Sequence, residues 1–301
     1  MRHILVTGGT GQVGNALKAL EWPADVMVSF PTRNELDLAS AERIAEAFAR
    51  EPWSCVINCA AWTAVDAAED RVADAYLANA QGPAWLADLT RHAGIPLVHV
   101  STDYVFAGDL ERPYREDDAV GPVGVYGASK LAGEMAVRTG NPRSVILRTA
   151  WVLSAHGANF AKTMLRLATD RDALSVVGDQ YGNPTTARDI AAALQVIALR
   201  MIEDTMAPTG VYHFVNADAA TWADLAGTIF DLSALRGGPS AQVTAITSAE
   251  YPTKAARPAN SRLDTAKLTR DFGIEPRPWK IAVAEVVDEL TIAKSEECVT
   301  R

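Results

Sequence analysis

Apolar positions in this chain gather into short, nearly continuous runs, separated by longer stretches with helical spacing. The runs are residues 3–7 (HILVT), 26–30 (VMVSF), 54–59 (SCVINC), 96–100 (PLVHV) and 144–147 (SVIL), and each reads as a strand. Between them lie amphipathic segments. Residues 15–22 (NALKALEW) suit a first helix. Residues 40–50 suit a second, with Ser40 as its N-cap and Arg43, Glu46 and Arg50 on its polar side. One long helix is expected over residues 70–92, stopped by Gly94, and another over 126–138. Strands alternating with helices imply parallel pairing and right-handed crossovers. The expected fold is therefore α/β: a doubly wound parallel sheet of Rossmann type.

Beyond Trp151 the pattern loosens. Pro and Gly interrupt it at 178–184, 208–210, 237–239, 252–258 and 276–278, which points to a smaller, less regular C-terminal lobe. Residues 211–215 (VYHFV) are expected to return as a further strand of the main sheet, and residues 295–301 to fray. The expected division gives residues 1–150, with a return around 181–216, to the sheet domain. Residues 151–180 and 217–301 form the second lobe. There is no internal repeat and no low-complexity tract.

Composition narrows the function classes. With 301 residues and 49% hydrophobic content, the chain can bury one large α/β core or two lobes. A net charge of −9 weighs against nucleic acid or an anionic membrane as the main partner. Three cysteines, Cys55, Cys59 and Cys298, stand in no CxxC or Cys/His spacing, so neither a disulfide framework nor structural zinc is expected. No basic-then-apolar leader precedes the first strand, and no apolar run is long enough to span a bilayer. A cytoplasmic location is the expectation.

Two stretches carry chemistry. Thr7-Gly8-Gly9-Thr10-Gly11-Gln12-Val13-Gly14 places glycines at three-residue spacing between the first strand and the first helix. A tight turn there brings backbone N–H groups and a helix N-terminus against a pyrophosphate, which makes residues 1–150 a dinucleotide-binding domain. After the second strand no acid occurs before Glu35, whereas Arg33 could pair with a 2′-phosphate. The cofactor reading is NADPH or NADH, tilted toward NADPH. The second stretch is Tyr126-Gly127-Ala128-Ser129-Lys130. Residues four apart share one helix face, so the Lys130 ammonium is expected to lower the pKa of the Tyr126 phenol and ready it as a proton donor. Ser101 and Thr102 end the fourth strand, on the edge where such sheets bind ligands, and the hydroxyl there can hold a carbonyl oxygen.

These residues resemble the extended short-chain dehydrogenases, and within them the dTDP-4-dehydrorhamnose reductases. The resemblance spans nearly the whole chain: TGGTGQVG (7–14), ELDLAS (35–40), VINCAAWTAVDAAE (56–69), STDYVFAG (101–108), YGASKLAGE (126–134), LRTAWV (147–152), NF (159–160), GDQYGNPTTARDIA (178–191) and ARPANSRLD (256–264). It implies NAD(P)H-dependent reduction of the C4 ketone of a dTDP-sugar, dTDP-4-dehydro-β-L-rhamnose. Thr102, Tyr126 and Lys130 would be the catalytic set, with Lys130 also on the nicotinamide ribose. It further implies that Asp37 and Leu38 lie at the adenine, and Ala60, Ala61 and Thr63 beside the ribose and pyrophosphate. Asp103, Tyr104 and Trp151 would line the sugar pocket, and Asn159, Arg257 and Ser261 would face the nucleotide.

Two departures matter. The dehydratases of the superfamily follow the strand-four Thr with Asp-Glu, but here Asp103 precedes Tyr104, which favours plain carbonyl reduction. Some reductases are described as dimers bridged by magnesium through glutamates, one soon after the glycine loop. Here Gly14-Asn15-Ala16-Leu17 offers no acid before Glu21, and no metal site is expected. Either a monomer or a homodimer fits. The close acids Asp66, Glu69 and Asp70 read as a solvated helix start, and residues 115–118 and 296–297 as solvated charge. His99 and His213 read as core positions. Alternatives from other classes are an epimerase or a reductase of another nucleotide sugar, and a non-catalytic NADP-binding regulatory subunit.

Overall fold

The computed structural model describes residues 1–299, with side chains described to Thr291. The first half alternates as its hydrophobic pattern predicts. β1 (Arg2–Thr7), α1 (Gln12–Ala19), β2 (Val26–Ser29) and α2 (Ala41–Phe48) lead to β3 (Cys55–Asn58). Then come α3 (Val65–Ala68), α4 (Val72–Tyr76), α5 (Gly82–His92), β4 (Leu97–Thr102), α6 (Val125–Gly140) and β5 (Ser144–Thr149). Ser40 caps α2 as expected, its hydroxyl accepting from the Arg43 N–H at 3.3 Å, a contact worth about 1 kcal/mol. Gly94, at φ +69°, ends the chain's run after α5.

The second half is built of smaller pieces. They are β6 (Val152–Leu153), α7 (Phe160–Leu167), β7 (Ala173–Val177), β8 (Tyr181–Gly182), β9 (Thr185–Thr186) and α8 (Ala187–Glu203). β10 (Gly210–His213), β11 (Ala220–Thr221), α9 (Trp222–Ala234), β12 (Gln242–Ile246), α10 (Ala266–Phe272) and α11 (Trp279–Val299) complete the order. α11 continues through Ser295 to Val299, where fraying was expected; Thr300 and Arg301 lie outside the described residues.

Six parallel strands form the main sheet in the order β10-β5-β4-β3-β1-β2. β10 is the returning strand anticipated at residues 211–215. The order reverses on either side of β1, which opens a crevice at the carboxyl ends of β1 and β3. Register brings Thr7 level with Asn58 and Thr102 level with Thr149 at that edge. Successive strand residues point to opposite faces, so each strand feeds two cores. Val6, Ile57, Val98 and Leu147 pack under Leu17 of α1 and Ile190, Leu194 and Ile197 of α8. Leu5, Val56, Leu97 and Ile146 pack under Ile44, Leu86 and Val137. Burial on both faces explains why these strands read as uninterrupted apolar runs.

A separate core joins α7, α9 and α11 to the parallel pair β7–β12, through Leu165, Leu174, Leu225, Ile229, Trp279 and Val283. One segment assigned to this lobe from the sequence packs elsewhere. Leu268 and Phe272 of α10, with Ile274, join the main sheet's core, where Phe272 meets Tyr212 edge-on and the Tyr212 hydroxyl donates to Asp271. The single helix expected over residues 70–92 is also interrupted. A π-turn, Leu77–Gln81, separates α4 from α5. Pro83 has no N–H to give the Asn79 carbonyl four residues back, and its ring needs room there, so the helix widens by one residue. Among the described residues no helix is long and apolar enough to cross a membrane.

Candidate active site

The glycine turn is shaped by contacts that only hydrogen can fill. A Cβ on Gly14 would lie 2.2 Å from the Gly8 carbonyl oxygen, and one on Gly8 would lie 2.7 Å from the Ala60 nitrogen. Gly8 also takes φ +71°. The turn closes through the Gly11 N–H donating to the Gly8 carbonyl, and α1 begins at Gln12 with no side-chain cap. Its first-turn N–H groups, those of Gln12, Val13 and Gly14, are thus free to meet an anion at the positive end of the helix. The Gln12 side chain turns the other way: its amide oxygen accepts from Ser154 at 2.9 Å and from Asn159 at 3.0 Å. Asn159 caps α7 and clamps this loop to the glycine turn.

Further along the crevice, Ala60 accepts guidance from β1: its N–H donates to Thr7 Oγ1, which in turn bonds Asn58. Ala61 is half-buried beside it and Thr63 is exposed. Asn79, on the π-turn, fixes this loop by pairing with both backbone groups of Trp62, and it also donates to Ser129 on α6. The sequence reading missed Asn79, since its role depends on a helix irregularity. Leu38 is buried, and the Asp37 carboxylate accepts from the Ala39 N–H. Arg33 is 81% exposed and leans on Asp37 at 3.4 Å. Glu35, the nearest acid after β2, is turned back onto the Thr32 N–H and hydroxyl.

α6 brings the YxxxK pair to the end of β4. Gly127 permits this: a Cβ there would lie 2.1 Å from the Tyr104 carbonyl oxygen. The N-terminus of α6 is held by Glu69, which accepts the Val125 N–H at 2.9 Å. Tyr126 lies edge-on to Tyr104, ring centres 5.4 Å apart, and its phenol approaches the Thr102 hydroxyl. The expected tuning by Lys130 is not what the structure has. Burial raises the pKa of Tyr126 above the ordinary phenol value, with Thr102 acting in the opposite sense, so the phenol stays protonated. Lys130 is buried and donates to the Val100 carbonyl at 2.7 Å; burial pushes its pKa down to about 8. Low dielectric overrides the expected stabilisation of a phenolate.

Next to Thr102, Asp103 is buried and its pKa is pushed up to about 6 by loss of water, against the effects of Ser261 and Thr102. Thr102 donates its hydroxyl proton to Asp103 Oδ1 at 2.9 Å and accepts from the Tyr104 N–H at 3.2 Å. Arg257 donates to Asp66 at 2.6 Å, leaving its Nη1 buried without a partner, and Lys254 pairs with Asp70. Asp66 lies in the first turn of α3 and its side chain and that of Asp70 are 49% and 64% exposed, as a solvated helix start implies, but all three acids also carry partners. Asp66 and Asp70 tie the chain at 254–257 to the segment around α3, and Glu69 accepts at the N-terminus of α6. Likewise Glu116 and Asp118 do more than face solvent: Glu116 accepts the His213 N–H and Asp118 clamps Arg112. The charged pair at 296–297 lies outside the described side chains.

Trp151 has a backbone φ of +48°, strained for a non-glycine residue and costing roughly 1–3 kcal/mol. Packing holds it there. Its ring stacks on Trp222 at 3.6 Å and covers Gly182, where a Cβ would come within 2.4 Å of the indole. Trp222 passed unnoticed in the sequence because its partner is 71 positions away. His99 and His213 are buried core positions, as read; His99 bonds Asn58 at 2.8 Å. Among the described residues no three His, Cys, Asp or Glu side chains are grouped to hold a metal ion, and Asp66, Glu69 and Asp70 each already have the partners given above.

Comparison with known proteins adds to this geometry. Residues 1–292 match the family described as the RmlD substrate binding domain. A dTDP-4-dehydrorhamnose reductase of Sinorhizobium fredii is 43% identical over 286 residues, covering 95% of this chain and 96% of that protein. One from Aggregatibacter actinomycetemcomitans is 41% identical, covering 95% and 98%. Among solved structures, a dTDP-4-dehydrorhamnose reductase from Bacillus anthracis in complex with NADP superposes with a TM-score of 0.85 at 32% identity, covering 97% of this chain and 100% of that one. That from Clostridium acetobutylicum reaches 0.89 at 36% identity, covering 96% and 99%.

Proposed function

The chain belongs to the RmlD substrate-binding-domain family, and from that premise we propose that it reduces the C4 ketone of dTDP-4-dehydro-β-L-rhamnose to dTDP-L-rhamnose with NADPH or NADH. The observation that carries the reading is the approach of a protonated, half-buried phenol to a hydroxyl at one end of the sheet, beside an uncapped helix behind a glycine turn. The glycine turn fits a dinucleotide, because Gly8 and Gly14 leave the backbone open where any side chain would close it. Bound there, the reduced nicotinamide supplies the hydride.

Everything else falls to this chain's own side chains. The N–H groups of residues 12–14 hold the pyrophosphate. Leu38 and Asp37 border the adenine, with Ala60, Ala61 and Thr63 on the ribose side. Arg33 is mostly exposed and held only by a long contact to Asp37 at 3.4 Å, while Glu35 faces Thr32, so it is the cation available to a 2′-phosphate. Thr102 and Tyr126 converge on the ketone oxygen, and Tyr126 gives up its proton as negative charge grows there. Its raised pKa keeps the proton available across the neutral range. Lys130 stands under the site on the Val100 carbonyl, with its remaining N–H donors free for the nicotinamide ribose. Tyr104, Trp151 and Arg257 shape the pocket for the sugar nucleotide. The lobe around α9 and α11 closes the substrate side.

The absence of an acid directly after Asp103 favours reduction over dehydration. Incubating the purified protein with dTDP-4-dehydrorhamnose and each reduced cofactor, then separating the products, tests the proposal. dTDP-L-rhamnose formed in step with cofactor oxidation is the expected result, with NADPH preferred. Epimerised product without net oxidation would replace the reductase by an epimerase. Cofactor binding without turnover would replace it by a regulatory subunit.

A further inference from the structure

Hydrogen-bond arithmetic at Thr102 raises a question that the reaction itself does not answer. A threonine hydroxyl has one proton and two lone pairs. In this structure the proton goes to Asp103 Oδ1 at 2.9 Å, and one lone pair takes the Tyr104 N–H at 3.2 Å. The remaining side of the oxygen is approached by the Tyr126 phenol. An ionised carboxylate can only accept, so while Asp103 is charged Thr102 has no proton to offer a carbonyl oxygen. A protonated Asp103 reverses the order: its own O–H donates to Thr102, and the Thr102 proton turns outward beside that of Tyr126.

We propose that Asp103 is a positioning residue which, through its own proton, sets whether the Thr102 hydroxyl donates to the substrate's carbonyl oxygen or is held back from it. The surroundings suit that task. Asp103 is 3% exposed, and its Oδ2 has no full hydrogen bond. Among the described residues no cation pairs with it. The ionisable groups around it are Tyr126 from α6, Tyr104 on its own turn, and, acting through Tyr104, Arg257 and Asp66. Ser261, from the segment before α10, is the outside group that favours the charged form, as does Thr102 itself. With a pKa of about 6 the carboxyl holds a mixed population near neutrality, and an anionic ligand that expels water shifts it toward the protonated form. Passing from the charged to the neutral state takes up one proton from solvent onto Asp103, and the Thr102 hydroxyl rotates so that its own proton leaves Asp103 Oδ1 and turns outward.

The inference rests on the reductase reading, and the test separates the two. The rate of dTDP-rhamnose formation is followed from pH 5 to 9 at saturating NADPH for the wild type, Asp103→Asn and Ser261→Ala. The wild type is expected to lose on the order of tenfold in kcat as pH rises through the Asp103 transition. Asp103→Asn should remove that limb, because the amide does not titrate, whatever its absolute rate. Ser261→Ala should move the limb to higher pH, since it deletes a group that favours the carboxylate. A limb that persists in Asp103→Asn belongs to another group, Lys130 foremost, and overturns the proposal. Should Asp103→Asn fail to fold, Ser261→Ala decides: an unmoved or downward-moved limb overturns it. A wild type that forms no dTDP-rhamnose at any pH refutes the reductase reading instead.

Discussion

Tyr126 shows how far burial alone can set a residue's chemistry. The expected effect of a lysine four positions along was a lowered phenol pKa, yet Lys130 has its ammonium on the Val100 carbonyl and the phenol is raised. A neutral, half-buried phenol is still a competent acid toward an alkoxide, which is a far stronger base. Replacing Tyr126 by Phe keeps the ring against Tyr104 and deletes only the donor. Turnover should fall by about 10²–10⁴-fold while cofactor affinity changes little. Single-turnover kinetics beside a cofactor titration would measure both, and near-normal turnover in that variant would remove Tyr126 from its role.

At the scale of elements, the site depends on two close approaches made possible by glycine. α1 packs against the turn it follows through Gly14, and α6 packs against Tyr104 through Gly127. Gly14→Ala puts a methyl carbon 2.2 Å from the Gly8 oxygen, which only a displacement of α1 relieves. Cofactor affinity should drop at least about tenfold, because the N–H groups that meet the pyrophosphate move with the helix. Gly94→Ala is the contrasting case. Nothing lies within 4 Å of a Cβ there, so only the left-handed φ of +69° is penalised. That variant should lose about 1 kcal/mol of stability and bind cofactor normally. Equal cofactor binding by both variants in a fluorescence titration would contradict the steric account.

For the whole molecule, buried histidines couple folding to pH. Burial, reinforced by Arg148, pushes His213 down to about 3, and burial with Lys130 holds His99 well below its ordinary value of 6.5. The unfolded chain therefore takes up protons that the folded chain refuses. The stability these residues contribute is complete above about pH 6.5 and is lost as pH falls below it. Asp103 acts in the opposite sense, since its raised pKa adds stability in acid that fades as pH climbs through about 6. Burial also raises Glu116, but it is only partly buried, and with two fully buried histidines on the other side the net trend is a loss on acidification. His213 alone should cost about 2 kcal/mol by pH 5. Thermal unfolding between pH 7.5 and 5 should show a falling midpoint, with a shallower fall in His213→Gln. An unchanged slope in that variant would show that His213 is not the linked group.

Much of this architecture follows from residues close in sequence. Five strands, the glycine turn, the cap at Ser40, the stop at Gly94 and the YxxxK pair were legible because each depends on neighbours within a turn or a strand: burial on both faces writes an apolar run, and φ > 0 asks for glycine. The sequence by itself determined the doubly wound sheet and the types of groups at its edge. Tertiary structure alone decided how those groups behave. Asn79 matters because a proline opens a π-turn onto α6, Asp66 because Arg257 returns to it from 191 positions away, and α10 because Tyr212 waits on the main sheet. The protonation of Tyr126, Lys130 and Asp103 depends on how much water the assembled fold excludes, a quantity that no local spacing encodes.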